Sequence, residues 1–245
     1  MDFSSGANQQ QNNNGLGLGL GLGNNQPQMQ THVVPQENLG GPLNFGAGIS
    51  LAKGGGVSLS KNSGISLSKV DPSLKNVMVG AGWDVNTMGS AYDLDIQAWM
   101  LGQDGRVLSD AHFVFYNQSV SPDGSVRHSG DNRNGQGEGD DETMDITLDL
   151  VSPQINEILF TITIDNARAK GQSFGNVQNA FIRLVNKDTG NQIARYDLSG
   201  NYAGATSLIF AKLVRDNTCW NFIALGDGTQ EELVNLCQRY GVNVG

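Results

Sequence analysis

From Asn76 to Leu225 the chain breaks into short apolar stretches separated by turn residues, and that rhythm restricts it to folds built from strands. Asn76–Trp83, Asp93–Leu101, His112–Asn117, Met144–Leu150, Glu157–Asp165, Ala180–Asn186, Ile193–Leu198, Thr206–Arg215 and Trp220–Leu225 are rich in Val, Ile, Phe, Leu and Thr. Asp104-Gly105 and Asp123-Gly124 are tight-hairpin pairs, and Lys187-Asp188-Thr189-Gly190 is a short loop ending in glycine. One helix is predicted, Thr229–Arg239, with Thr229 as N-cap, Glu231 and Glu232 in the first turn and Gly241 past the end. Many short strands and one terminal helix predict a mainly-β chain: an antiparallel β-sandwich with a C-terminal helix, preceded by a disordered N-terminal tail.

That tail is predicted over residues 1–47. Asn8 to Asn14 is an unbroken Gln/Asn tract, and Gly15 to Gly23 alternates Gly with Leu. Such a segment buries too little apolar surface to offset its ordering entropy, and Gly at every second position weakens a strand. It is expected to act as a linker or tether. The folded domain is predicted over 48–245. It opens with a repeat of period eight, GISLAK from Gly48, GVSLSK from Gly56 and GISLSK from Gly64. Ile49 and Leu51, Val57 and Leu59, and Ile65 and Leu67 alternate with small polar residues, the half-buried strand pattern. The last two units at least, within 48–69, are expected to dock as edge strands.

The net charge is −9, and Asp2 and Glu37 balance Lys53 and Lys61 within residues 1–65, so the whole excess lies in residues 66–245. An acidic body argues against nucleic-acid binding, which relies on Lys and Arg at phosphates. Cys219 and Cys237 form neither a zinc knuckle nor a disulfide scaffold and are expected to be buried free thiols. No apolar run approaches the ~18 residues of a membrane span, and the N-terminus has no signal-peptide pattern, which predicts a cytoplasmic protein.

The chemistry is concentrated in GDNRNGQGEGDDE, Gly130–Glu142, which holds Asp131, Glu138, Asp140, Asp141 and Glu142 against one cation, Arg133. Carboxylates this dense repel unless water or a cation separates them. Oxygen ligands on a glycine-rich loop suit Ca2+, which takes six to eight oxygens in loose geometry. The plain alternative is a solvated acidic loop. Asp131 to Glu142 has the length and ends of an EF-hand loop, but Arg133, Gly135 and Gln136 break its interior pattern and the flanks are strands. Asp93 and Asp95 lie two apart in YDLDIQAWML and so share one strand face, with Leu94, Ile96, Ala98 and Met100 on the other. Asp84, at the end of the preceding strand, can lie nearby. Together these carboxylates predict one or two adjacent calcium sites.

The paired SLSK segments Ser58–Lys61 and Ser66–Lys69, VGAGWD at Val79–Asp84, DLD at Asp93–Asp95, VFYN at Val114–Asn117 and SPDGSVRHSGDN at Ser121–Asn132 carry a family resemblance. GEGDDE at Gly137–Glu142, FGNVQNAFIRLVN at Phe174–Asn186, IARYDL at Ile193–Leu198 and GVNV at Gly241–Val244 continue it in order. Over roughly residues 56–245 the chain resembles the TerD-type tellurite-resistance and stress-response proteins. The resemblance implies a calcium-binding β-sandwich without established catalysis. It implies metal-binding roles for Asp93, Asp95, Asp131, Asn132, Asp140, Asp141 and Glu142, with a carbonyl from Gly139; Asp84 is a weaker transfer. The chain departs from the family in its long polar tail, in its third repeat unit and in Ala81.

Function is therefore expected to be non-enzymatic: a Ca2+-stabilised stress module that engages protein partners of a stress-response complex or a membrane. Two other classes stay open. One is metal-assisted phosphoester hydrolysis, for which the sequence offers no evident base or phosphate clamp. The other is an assembly protein oligomerising through the Gln/Asn and Leu-Gly tail. His128 reads as a turn histidine beside the acidic loop, Trp83, Trp99 and Trp220 as core, and Arg183 and Arg195 as members of structural ion pairs with acids such as Asp197.

Overall fold

The computed structural model describes residues 44–45, 50–51, 55–85, 92–129, 139–198, 200, 202–217 and 219–244. The strands are β1 (Asn44–Phe45), β2 (Ser50–Leu51), β3 (Val57–Ser58), β4 (Ser63–Ser66), β5 (Asn76–Val85), β6 (Leu94–Leu101), β7 (Phe113–Val114), β8 (Val126–His128), β9 (Glu142–Thr147), β10 (Glu157–Ile164), β11 (Val177–Asn186), β12 (Gln192–Asp197), β13 (Ser207–Asp216) and β14 (Cys219–Thr229). The helices are α1 (Leu67–Val70), α2 (Ala167–Lys170) and α3 (Leu233–Tyr240).

Two sheets form a sandwich. The first runs β1-β4-β14-β13-β10-β6-β7 and the second β2-β3-β12-β11-β5-β9-β8. Pairing is antiparallel except for two short edge contacts, β1 with β4 and β12 with β3. The strand period explains what lies between them. Leu94, Ile96, Ala98 and Met100 face in from β6, and Val77, Val79, Ala81 and Trp83 from β5, where they meet Phe160, Ile182, Met144 and Phe210 in one core.

The first sheet is also covered on its outer face. Trp99, Leu101, Phe113, Leu159 and Leu225 pack there against Leu236 and Cys237 of α3. Every residue of β6 is therefore buried, its polar ones included. Gln97 shows how they are accommodated. Its Nε2 donates to Thr163 Oγ1 and the Asp95 carbonyl, Thr161 Oγ1 donates to its Oε1, and the Trp99 indole N–H donates to Thr161. A buried amide without such partners would carry its full desolvation penalty.

Several expectations are corrected. Strand β14 continues to Thr229, where it pairs with Ser207, so Thr229 ends a strand and does not cap the helix. The cap is Glu232, in a reciprocal box with Asn235, and Gly241 closes the helix with φ +83°. The third repeat unit is strand only to Ser66; Leu67–Val70 turn into α1 so that Leu67 can enter the core. The tail expected over 1–47 lies outside the described residues except Asn44–Phe45, which form β1. Strand β8, too short for a periodicity signal, was not expected at all. Cys219 and Cys237 are both free, but only Cys237 is buried, and burial followed by the nearby Asp110 charge pushes its thiol up to about 11.

The Ser121–Ser125 turn is tied to the 151–155 loop by Asp123. Its carboxylate accepts from Ser125 N and Oγ, Ser121 Oγ and Ser152 N. Burial pushes this group up, but those hydrogen bonds outweigh it and hold Asp123 below the ordinary aspartate value of 3.8. The folded state thus gains stability from ionised Asp123 above that value and loses it as pH falls through the lower folded one. Asp123→Asn is expected to flatten this acid limb of the stability curve, measured as urea midpoints across the acidic range. Leu236→Ala should cost about 2–5 kcal/mol in the same assay, because it opens a cavity beneath α3.

Candidate metal centre

The end of β5 and the starts of β9 and β6 come to one end of the sandwich. Strands β5 and β9 pair antiparallel, so Ala81 is opposite Glu142, and Asp84 and Asp141 follow at that end. Ser129 and Gly139, which flank residues 130–138, belong to the same end, since Ser129 N donates to the Thr143 carbonyl. Asp131 and Asn132 lie outside the described residues.

Asp84, Asp140 and Asp141 are brought together. Asp141 is fixed twice on β5: its own N–H donates to the Ala81 carbonyl, and its Oδ2 accepts the Trp83 N–H at 2.8 Å. Burial is the main reason its carboxyl is raised above 3.8; the Trp83 N–H opposes this, and the Asp84 and Asp140 charges add to it. Ionised Asp141 is thus held at a cost that a bound cation would remove. Asp84 is exposed, and Asn179 Nδ2 donates to its Oδ2 at 2.6 Å.

Asp140 has another partner. Arg183 grips it with both prongs, Nε to Oδ1 at 2.7 Å and Nη2 to Oδ2 at 2.8 Å. The carboxylate lies directly over Gly80, the cross-strand neighbour of Arg183, where a Cβ would collide with it. Gly82 leaves space in the same way for the Phe181 ring and the Gly139 carbonyl. That is the physical use of the glycines in VGAGWD. Arg183 also sits opposite Arg195. The two like charges are tolerated because Asp140 takes one, while Asp197 takes the other at 2.7 Å.

Asp93 and Asp95 are on the other sheet. Their face of β6 is the outer one that continues through Gln97 and Trp99, and Asp95 is nearly buried at 9% exposure. Glu142 points between the sheets: its Oε2 accepts the Ile96 N–H and lies 3.7 Å from His128 Nε2. His128, expected as a solvated turn residue, is therefore a buried strand residue facing that carboxylate.

Tested as a calcium centre, the donor set is chemically suitable but divided. All the donors are hard oxygens. Asp84, Asp141 and Gly139 lie with the second sheet, and Asp93 and Asp95 with the first. Asp140 and Glu142 are already committed to Arg183 and to Ile96. Among the described residues no group of three or more His, Cys, Asp or Glu side chains forms a metal-holding cluster.

A model of the TerD domain matches residues 56–240. The chain is 49% identical over 176 residues to a tellurium resistance protein TerD of Serratia marcescens, covering 71% of this chain and 92% of that one. It is 44% identical over 179 residues to general stress protein 16U of Bacillus subtilis (strain 168), covering 72% and 93%. The structure of a homologue of the telluride resistance protein TerD from Streptomyces coelicolor A3(2) superposes with a TM-score of 0.55 at 26% identity, over 67% of this chain and 95% of that one.

The Asp140–Arg183 pair gives a direct test. Asp140 is 7% exposed, so Arg183→Leu leaves an uncompensated carboxylate and should cost about 3 kcal/mol, at the low end for a severed buried pair because Arg183 is partly exposed. Combining it with Asp140→Asn should recover most of that loss in a double-mutant cycle read by urea unfolding.

Proposed function

The chain belongs to the TerD family, and on that premise we propose that it is a non-enzymatic, calcium-dependent stress-response protein of the tellurium-resistance type. Its place among tellurium-resistance and general stress proteins follows from the relatives themselves. Calcium is the further step, and one observation carries it: Asp141 is held beside Asp84 and Asp140 with its carboxyl raised, while Arg183 grips Asp140 with both prongs.

In this reading Ca2+ takes Asp84, Asp141 and the Gly139 carbonyl, with oxygens from Asp131 and Asn132 completing a shell of six to eight. Asp93 and Asp95 offer a second, weaker position on the facing sheet. Asp140, through Arg183, and Glu142, through the Ile96 N–H, act as positioning residues that fix the chain on either side of Asp141. The bound ion removes carboxylate repulsion and sets the surface at this end of the sandwich. Free calcium 100-fold above its dissociation constant would stabilise the folded state by about 2.7 kcal/mol. The surface so formed would engage proteins of a cytoplasmic stress-response complex or a membrane face, and the Gln/Asn and Leu-Gly tail would tether copies or partners. No helix among the described residues is long and apolar enough to cross a membrane.

Calorimetric titration of the chelator-stripped protein with Ca2+, with Mg2+ as control, tests this. Ca2+-selective binding at micromolar or tighter affinity is expected, weakened at least tenfold by Asp141→Asn. Equal weak binding of both ions, or wild-type affinity in the variant, would reduce the cluster to a solvated acidic surface.

A further inference from the structure

The end of the sandwich remote from Asp84 holds a second feature. Strand β5 runs from Asn76 at this end to Asp84 at the other, roughly 27 Å of extended chain. Here the mouth between the sheets is a cavity of about 540 Å³, bounded by α1, the 71–74 segment, the 148–153 segment and the β13–β14 turn. Its volume is in the range of small-molecule pockets.

The walls are mixed. Leu67, Leu74, Leu148 and the Trp220 ring, with Pro72 and Pro153, form the apolar half of the lining, and polar side chains form the rest. Val70 of α1 and Leu150 beside Leu148 are large apolar residues left 48% and 55% exposed on the two elements that flank it. Among the described residues one cation lines it, Arg215. Its Nε donates to the Ile155 carbonyl at 3.1 Å, and its Nη2 to the carbonyls of Val151 and Ser152 at 3.0 and 3.1 Å. Its Cζ lies 4.3 Å from the centre of the Trp220 ring. These contacts hold the guanidinium rigidly and leave Nη1 without an acceptor among the described residues. Burial pulls the group down from the ordinary arginine value, the mark of a charge removed from water with no anion in return.

The lining carboxylates do not supply that anion. Asp149 pairs with Lys75 at 3.0 Å. Asp71 accepts from Ser73 N and Oγ and from Asn186 Nδ2. With Arg215 and Lys75 against Asp71 and Asp149, the rim is neutral. It tolerates a ligand carrying one negative charge and disfavours one carrying two.

We propose that this cavity binds a small monocarboxylate with an apolar body, its headgroup on Arg215 Nη1 and its body against Leu67, Leu74, Leu148 and Trp220. A carboxylate oxygen can accept a charge-assisted hydrogen bond from Nη1, the one guanidinium nitrogen not already donating to a backbone carbonyl. The site is independent of the cation centre and shares no residue with it.

Octanoate is the probe, with octan-1-ol as the headless control and octylammonium as the wrong charge, titrated calorimetrically into the full chain in the presence of a chelator. Octanoate is expected to bind with a dissociation constant below about 1 mM and at least tenfold tighter than either control. Absence of saturable octanoate binding, or equal binding of all three, would overturn the proposal. Arg215→Gln should abolish the preference for octanoate over octanol; a folded variant that kept the preference would overturn the headgroup assignment. Because Arg215 also anchors three carbonyls, a second variant guards against misfolding. Ser68→Phe fills the cavity from a half-exposed position on α1 and leaves Arg215 untouched. It should remove octanoate binding with thermal unfolding unchanged, whereas undiminished binding would place the ligand elsewhere and refute the assignment.

Discussion

Burying the first sheet on both faces is the constraint on which the rest of the structure depends. The core fills one side of β6 and α3 with its neighbours the other, so a strand carrying Asp95 and Gln97 has no solvent to turn them toward. The chain answers with hydroxyls in register: Thr161 and Thr163 of β10 stand opposite Gln97 and Asp95. The hydrogen bonds from Gln97 to both threonines, and from Trp99 to Thr161, make a slip of either strand expensive, because a one-residue shift would strand an amide in an apolar layer. A fixed β6 then fixes the second sheet, since the Ile96 N–H donates to Glu142 at the start of β9. Asp141, one residue earlier, inherits that position.

Much of this was legible in the sequence because strand periodicity is a local signal. The alternation in Asp93–Met100 separates the apolar face of Leu94, Ile96, Ala98 and Met100 from the face that carries Asp93 and Asp95. Failures came where long-range pairing overrode local preference. Thr229 reads as a helix cap because Glu231 and Glu232 follow it and Gly241 closes the segment, yet Ser207 opposite keeps it in a strand. Leu67 reads as the end of an SLSK strand, yet it turns into the core. His128 beside a run of acids reads as solvated, and only the β8–β9 pairing shows it buried against Glu142.

The roles of the individual acidic residues were harder to read for a related reason. Acidic density identifies candidates but not which of them the fold has already engaged. Asp140 and Asp141 are adjacent and chemically alike, but Asp140 lies over Gly80 against Arg183, whereas Asp141 turns to the Trp83 N–H. The clue was the pair of glycines in VGAGWD, whose missing side chains leave room for a carboxylate and a carbonyl from another strand. Glycine in a strand interior often marks close approach by something else, and here that something is the segment around Gly139 and Asp140.

The two ends of the sandwich are then electrostatically complementary in kind. One gathers Asp84, Asp140 and Asp141, and the other holds Arg215, which has no carboxylate partner among the described residues. Strands β5 and β9 run between them, from Asn76 and Thr147 at the cavity end to Asp84 and Glu142 at the acidic end. A sandwich packed as densely as this one resists bending along its strands. Ligands at its two ends are therefore expected to act on loops and edges and not on the core. Under the two proposals, each end would be occupied without deforming the other.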